Sequence, residues 1–211
     1  MRHFPIIADG WVYMGILGLL CILTYRWNPA LSSVFLLMLL FVAFFFRNPW
    51  RNVPNEPGLI VSPADGVVLS VERVFEGDYL KTEAHRVSIF LSIFNVHINR
   101  SPMDGKVEYL CYQRGRYLPA YRAEATHQNE QNRLGLRNDS CQVMVNQIAG
   151  LIARRIVCWP RLGDDLKRGE RFGLIKFGSC TELYMPLEIK LEVKKGDRVR
   201  GGETVIGRIV S

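Results

Sequence analysis

A glycine followed at once by a serine, Gly178-Ser179, lies between two short apolar, β-prone runs, Phe172-Gly173-Leu174-Ile175 and Leu183-Tyr184-Met185. Glycine reaches backbone angles closed to other residues, so the peptide bond after it can be bent or strained. The Ser179 hydroxyl sits beside the Gly178 carbonyl and could attack it, turning an amide into an ester. The same stretch also reads as a strand with a glycine bulge. A serine is a weak nucleophile and needs a base. His97 ends the apolar run Arg86–His97, which reads as a buried strand emerging there among Asn95, Asn99 and Arg100. An imidazole titrates near neutrality and can take that proton. Asp65, in Ala64-Asp65-Gly66, is a carboxylate that could orient an imidazole, as in a Ser–His–Asp arrangement. Taken locally it reads first as a turn aspartate bonded to its own backbone. Cys180 is a conceivable rival nucleophile, but alternation along a strand would point it away from Ser179.

These groups come from segments far apart in the chain, and the segments between them read as β-rich. Leu59–Val71 reads as strand, turn, strand around Ala64-Asp65-Gly66, and Met103–Tyr112 as a further turn and strand. Val143–Trp159 is a β-prone run broken by Gly150 and Arg154-Arg155. Residues 113–140 are polar, with Tyr117, Leu118 and Tyr121 interleaved among arginines, and read either as a solvated loop or as the mouth of a headgroup site. The tail from Leu187 alternates polar and apolar residues. Its Gly196-Asp197-Arg198-Val199-Arg200-Gly201-Gly202 turn and following Val205-Ile206-Gly207 resemble lipoyl and biotinyl carrier domains, without a convincing attachment lysine. The predicted fold is mainly β, a barrel-sandwich or hybrid-motif-like domain over residues 52–211.

Residues 1–51 differ in kind. Gly10–Tyr25 and Pro29–Phe46 are uncharged and apolar, separated by Arg26-Trp27-Asn28-Pro29, a good turn. As helices rising about 1.5 Å per residue they would reach roughly 24 and 27 Å, slightly short of a hydrocarbon core of about 30 Å. The pattern predicts an N-terminal hydrophobic helical hairpin that spans the bilayer or dips into it. Trp11, Trp27 and Trp50 lie at or near the run ends, as interfacial aromatics do. Arg2, Arg47 and Arg51 favour a cytoplasmic position for both ends, with Arg26 cutting against it.

The formal net charge is +7, and only Arg2, Arg26, Arg47 and Arg51 of the 27 basic residues precede residue 60. A basic folded domain suits anionic lipid or nucleic acid, and no stretch resembles a nucleic-acid module. The five cysteines are odd in number and show no Cys-x-x-Cys pairing, which argues against a disulfide framework and against a zinc site. No glycine-rich nucleotide loop and no Gly-x-Ser-x-Gly elbow is present.

Lys176-Phe177-Gly178-Ser179 resembles the self-cleavage motif of the phosphatidylserine decarboxylases, in the short, compact branch of that family. Ser62-Pro63-Ala64-Asp65-Gly66, Phe94–Pro102 and Ile148–Ile156 match in the family's order, so the resemblance covers nearly everything after residue 57. It implies decarboxylation of phosphatidylserine to phosphatidylethanolamine and CO₂, after serinolysis at Gly178-Ser179. Ser179 would become a covalent pyruvoyl cofactor, with His97 and Asp65 activating it and no metal required. Fragments 1–178 and 179–211 would remain associated at the cytoplasmic side of the cell membrane, with a homo-oligomer left open. Asn129-Glu130-Gln131-Asn132 resembles the family's Asn-Glu-Arg-Asn box with Gln131 in place of arginine, which makes Asn129 and Asn132 candidate substrate contacts. The long branch carries a second histidine where this chain has Phe94, so any role of that group is absent or supplied elsewhere. Two rival readings keep the same residues: a Ser-His-Asp hydrolase working as an intact chain, and a non-catalytic hybrid-motif membrane module.

Overall fold

The computed structural model describes residues 5–118, 125–150, 155–175 and 179–209. Two compact units follow one another, Met1–Trp50 and Arg51–Ser211. The first holds α1 (Ala8–Tyr25) and α2 (Pro29–Phe45). Asn28 starts α2 by accepting the Leu31 N–H at 3.1 Å, and Pro29 takes the first helical position, where a missing N–H costs nothing. The Ser32 hydroxyl donates to the Cys21 carbonyl at 2.9 Å, tying the two helices side by side. α1 is long and apolar enough to cross a membrane; α2 falls just short in length.

The second unit is mainly β. Its strands are β1 (Leu59–Val61), β2 (Gly66–Glu76), β3 (Thr82–Leu91), β4 (Ile98–Arg100), β5 (Gly105–Gln113), β6 (Gln131–Arg137), β7 (Gln142–Ile148) and β8 (Ile156–Cys158). They continue as β9 (Asp165–Leu166), β10 (Arg171–Ile175), β11 (Ser179–Pro186), β12 (Ile189–Leu191), β13 (Arg198–Val199) and β14 (Val205–Ile209), with a single turn of helix, α3, at Ala125–Gln128. Eight strands form a curled antiparallel sheet in the order β13-β2-β3-β11-β7-β6-β5-β9. Two three-stranded sheets, β1-β14-β12 and β4-β10-β8, complete the domain.

The inner face of the large sheet reads from its sequence with period two. Val87, Ile89 and Leu91 of β3, Val143 and Val145 of β7, and Leu183 and Met185 of β11 are all fully buried in one core with Phe172 and Leu134. Each such side chain contributes about 1.5–3 kcal/mol on burial.

Two segments depart from the expectation. The run Arg86–His97 is a strand only as far as Leu91; residues 92–97 form a loop pinned by Asn95, whose Oδ1 accepts the Ser92 N–H at 2.9 Å. The polar stretch 113–140 contains β6, a mostly buried strand in the middle of the large sheet. Its polar residues are matched across the ladder rather than solvated. Asn132 donates to Gln147 at 3.0 Å, and Asn146 donates to Gln131 at 2.8 Å. A polar strand is stable inside when its amides find amides.

Candidate active site

The two runs flanking Gly178-Ser179 belong to different sheets: β10 pairs with β4 and β8, whereas β11 pairs with β3 and β7. The chain therefore passes from one sheet to another between Ile175 and Ser179. Lys176, Phe177 and Gly178 lie outside the described residues, as do Leu151–Arg154 of the earlier matching run.

Ser179 is the first residue of β11, opposite Leu91 at the end of β3. It is fully buried, and its hydroxyl finds no hydrogen-bond partner among the described residues. Leaving such a group unpaired costs about 1–3 kcal/mol, an unusual choice for a residue whose task is packing, since alanine would avoid it. Cys180 points the other way, into an apolar cluster with Ile148 and Phe90. Burial, reinforced by the Glu182 carboxylate, pushes its thiol well above the ordinary range, so little thiolate forms.

His97 lies just before β4, and its carbonyl accepts the Ile175 N–H at 3.2 Å. The histidine backbone is thus laid against the last described residue before the Gly-Ser step. The imidazole is buried, with Nδ1 3.0 Å from the Asn95 carbonyl. A carbonyl can only accept, so in the neutral ring the proton sits on Nδ1.

Asp65 sits in the turn between β1 and β2. Gly66 is required there, because a Cβ would fall 2.1 Å from the Phe90 carbonyl of the neighbouring strand. The turn is held against β4: the Pro63 carbonyl accepts the Arg100 N–H at 2.9 Å. The Asp65 carboxylate accepts from Arg51 Nη2 at 2.9 Å on Oδ1 and 2.8 Å on Oδ2, and from the Gly201 N–H at 2.8 Å on Oδ1. Its hydrogen bonds among the described residues go to these groups and not to the imidazole. Arg51 reads from sequence as a surface cation flanking a membrane segment. Here its side chain is only 7% exposed, with Glu203 as a second anionic neighbour at 3.6 Å. Removing one partner of such a buried pair costs about 3–5 kcal/mol.

One residue joins all three segments. Asn99 on β4 donates from Nδ2 to Thr181 Oγ1 on β11 at 3.0 Å and, at 3.4 Å, to the Pro63 carbonyl. Its Oδ1 accepts from Gln147 at 2.9 Å, and Gln147 in turn accepts from Asn132. The buried chain Asn132–Gln147–Asn99–Thr181 therefore runs from β6 through β7 and β4 to β11, two residues from Ser179. Its sign in the sequence is Asn146-Gln147 inside the β-prone run Val143–Trp159. Asn132 thus stands at the far end of this chain. Asn129 is fully buried, and its amide is occupied by backbone: Nδ2 donates to the Leu118 and Ala149 carbonyls, and Oδ1 accepts the Leu118 N–H.

Around this geometry the comparisons with known proteins agree. The family model for phosphatidylserine decarboxylase matches residues 38–207. A phosphatidylserine decarboxylase proenzyme of Carboxydothermus hydrogenoformans is 52% identical over 202 residues, covering 95% of each chain. One from Symbiobacterium thermophilum is 50% identical over 207 residues, covering 97% of this chain and 96% of its own. One from Geotalea uraniireducens is 44% identical over 209 residues, covering 98% and 97%. With a family model over most of its length and relatives aligned nearly end to end, the chain belongs to the phosphatidylserine decarboxylase family, a family of carboxy-lyases.

Proposed function

We propose that this chain cleaves itself between Gly178 and Ser179 and then decarboxylates phosphatidylserine to phosphatidylethanolamine with release of CO₂. The observation that carries the reading is the buried, unpartnered Ser179 hydroxyl at the sheet-to-sheet crossing, close along the chain to the ladder that holds His97. His97 Nε2 takes the Ser179 proton as Oγ attacks the Gly178 carbonyl. The C–N bond breaks as the new ester forms. Loss of the Ser179 α-proton with cleavage of its Cβ–O bond leaves a carboxylate on Gly178 and a dehydroalanine at 179. Water then replaces that nitrogen, which leaves as ammonia, and the residue becomes pyruvoyl. Asp65 supplies the negative charge that steadies the imidazolium during the first step.

The residues fit this group, because an orphaned hydroxyl at a strand start is what its formation consumes. The pyruvoyl carbonyl supplies an electrophile for the substrate amine and a sink for the electron pair left when CO₂ departs. Imidazole at His97 can return a proton to the carbon that loses CO₂. Asn129 and Asn132 contribute by fixing the Leu118 backbone and the amide chain that leads to β11. The two fragments stay together because β11 is interior to the large sheet, paired along Ser179–Pro186 with β3 and along Cys180–Tyr184 with β7. The apolar α1 and α2 hold the enzyme at the cell membrane, with the β unit on the cytoplasmic side.

The test is an assay on phosphatidylserine in mixed micelles without pyridoxal phosphate. CO₂ and phosphatidylethanolamine are expected in equal amounts, and borohydride pretreatment stops both. Release of free serine or fatty acid instead would mark a hydrolase and overturn the reading.

A further inference from the structure

We propose that Arg51 is a positioning residue of the self-processing site, clamping the Asp65 carboxylate in the orientation in which it serves His97. The inference rests on the proposed role of Asp65 and deepens it. Neither residue lies in a strand, so their pairing is not a by-product of a ladder. The guanidinium meets both carboxylate oxygens, and the Gly201 N–H closes on Oδ1. Oδ1 thus receives two donors and Oδ2 one, which leaves Oδ2 with open acceptor capacity for a third. Two fixed donors, Arg51 Nη2 bridging both oxygens and the Gly201 N–H on Oδ1, determine the plane of the carboxylate, where a free side chain would rotate.

The arginine is itself anchored. Its Nη1 lies 3.6 Å from Glu203, and Glu203 also accepts the Asn52 N–H at 3.0 Å, so the backbone just beyond Arg51 is tied to the same acid. A further guanidinium bears on the cluster: Arg100 interacts with Asp65 and Glu203, burial together with Arg51 and Arg171 lowers it to about 10, and it donates to the Gly169 carbonyl at 2.9 Å. Arg100 stays cationic at neutral pH. Asp65 is thus held by the Arg51 guanidinium and the Gly201 N–H in strongly cationic surroundings.

The experiment uses the full chain in detergent micelles and follows self-cleavage by gel. Asp65→Asn, Arg51→Met and the double variant are compared with wild type, with melting temperature as a control for folding. Asp65→Asn is expected to slow cleavage by about 100-fold, and Arg51→Met by about 10- to 100-fold through misplacement. The double variant is expected to be no slower than Asp65→Asn alone, because Arg51 acts through the carboxylate that the second change removes. Wild-type cleavage by Asp65→Asn would sink the processing role of Asp65 and this inference with it. Slow Asp65→Asn with wild-type or faster Arg51→Met would overturn the clamp alone, as would losses that multiply. Should Arg51→Met not fold, Arg51→Lys decides: it keeps the charge but has one nitrogen where the guanidinium sets Nη2 on Asp65 and Nη1 toward Glu203, so slowed cleavage at unchanged melting temperature supports the clamp. Wild-type cleavage by the lysine variant contradicts it.

Discussion

Residues 1–50 and residues 51–211 place their apolar side chains in opposite ways. In the first unit Ile22 is 74% exposed, Leu37 67% and Trp27 88%, and mean hydropathy over α1 is 1.4. In the second, Ile60, Val87, Ile89, Leu91 and Leu183 are fully buried beneath one curled sheet. A helical pair that turns its large apolar groups outward has lipid as its natural surroundings. A β unit that turns them inward makes a frame on which side chains from distant segments meet, as Asn99 of β4 and Thr181 of β11 do. On the proposed reading the difference divides the work, with chemistry in the second unit and access to a phospholipid in the first.

The largest expected effect comes from Ser179→Ala, which removes the oxygen both for cleavage and for the electron sink. One uncut chain and no CO₂ release are expected on a gel and in the decarboxylase assay. Cleavage in this variant would take the chemistry away from the sheet crossing. Next is His97→Ala, which removes the base. Self-cleavage should slow by about 10²- to 10⁴-fold, followed as band intensity over hours. An unchanged rate would mean that another group takes the proton.

A smaller effect is expected when the chain begins at Asn48, so that Arg51 is kept. Self-cleavage should stay within a few-fold of the full chain, while flotation with phosphatidylserine vesicles falls by about 10-fold or more, as expected when two apolar helices are lost. Equal flotation would show that the basic β unit alone finds the membrane. The smallest effect belongs to Cys180→Ala. Its thiol lies against Ile148 and Phe90 and is held in its neutral form, so cleavage should run within about two-fold of wild type. A loss comparable to Ser179→Ala would make sulfur the nucleophile.

Much of this division is legible in the chain, because periodicity carries it. The period-two apolar residues of β3, β7 and β11 and the two long uncharged runs each announce their surroundings. What escaped is polar and non-local. β6 carries Gln131, Asn132 and Arg133 and looks like solvated loop until Asn146 and Gln147 are placed opposite. Local pattern cannot show a partner that arrives from fourteen or more residues away. Arg51 escaped for the same reason: its place after an apolar run suggests a membrane-surface cation, and only the folded turn reveals Asp65 beside it. Asn99 was legible as a neighbour of His97, but not as the junction of β4, β11 and the Pro63 turn.

The most direct test is the mass and the N-terminus of the smaller piece of mature protein. The account predicts a fragment spanning residues 179–211 that begins with a pyruvoyl group, resists Edman degradation for want of an amine, and gains two hydrogens on borohydride reduction. Full decarboxylase activity in an intact chain, or a fragment beginning with an ordinary serine amine, would contradict it.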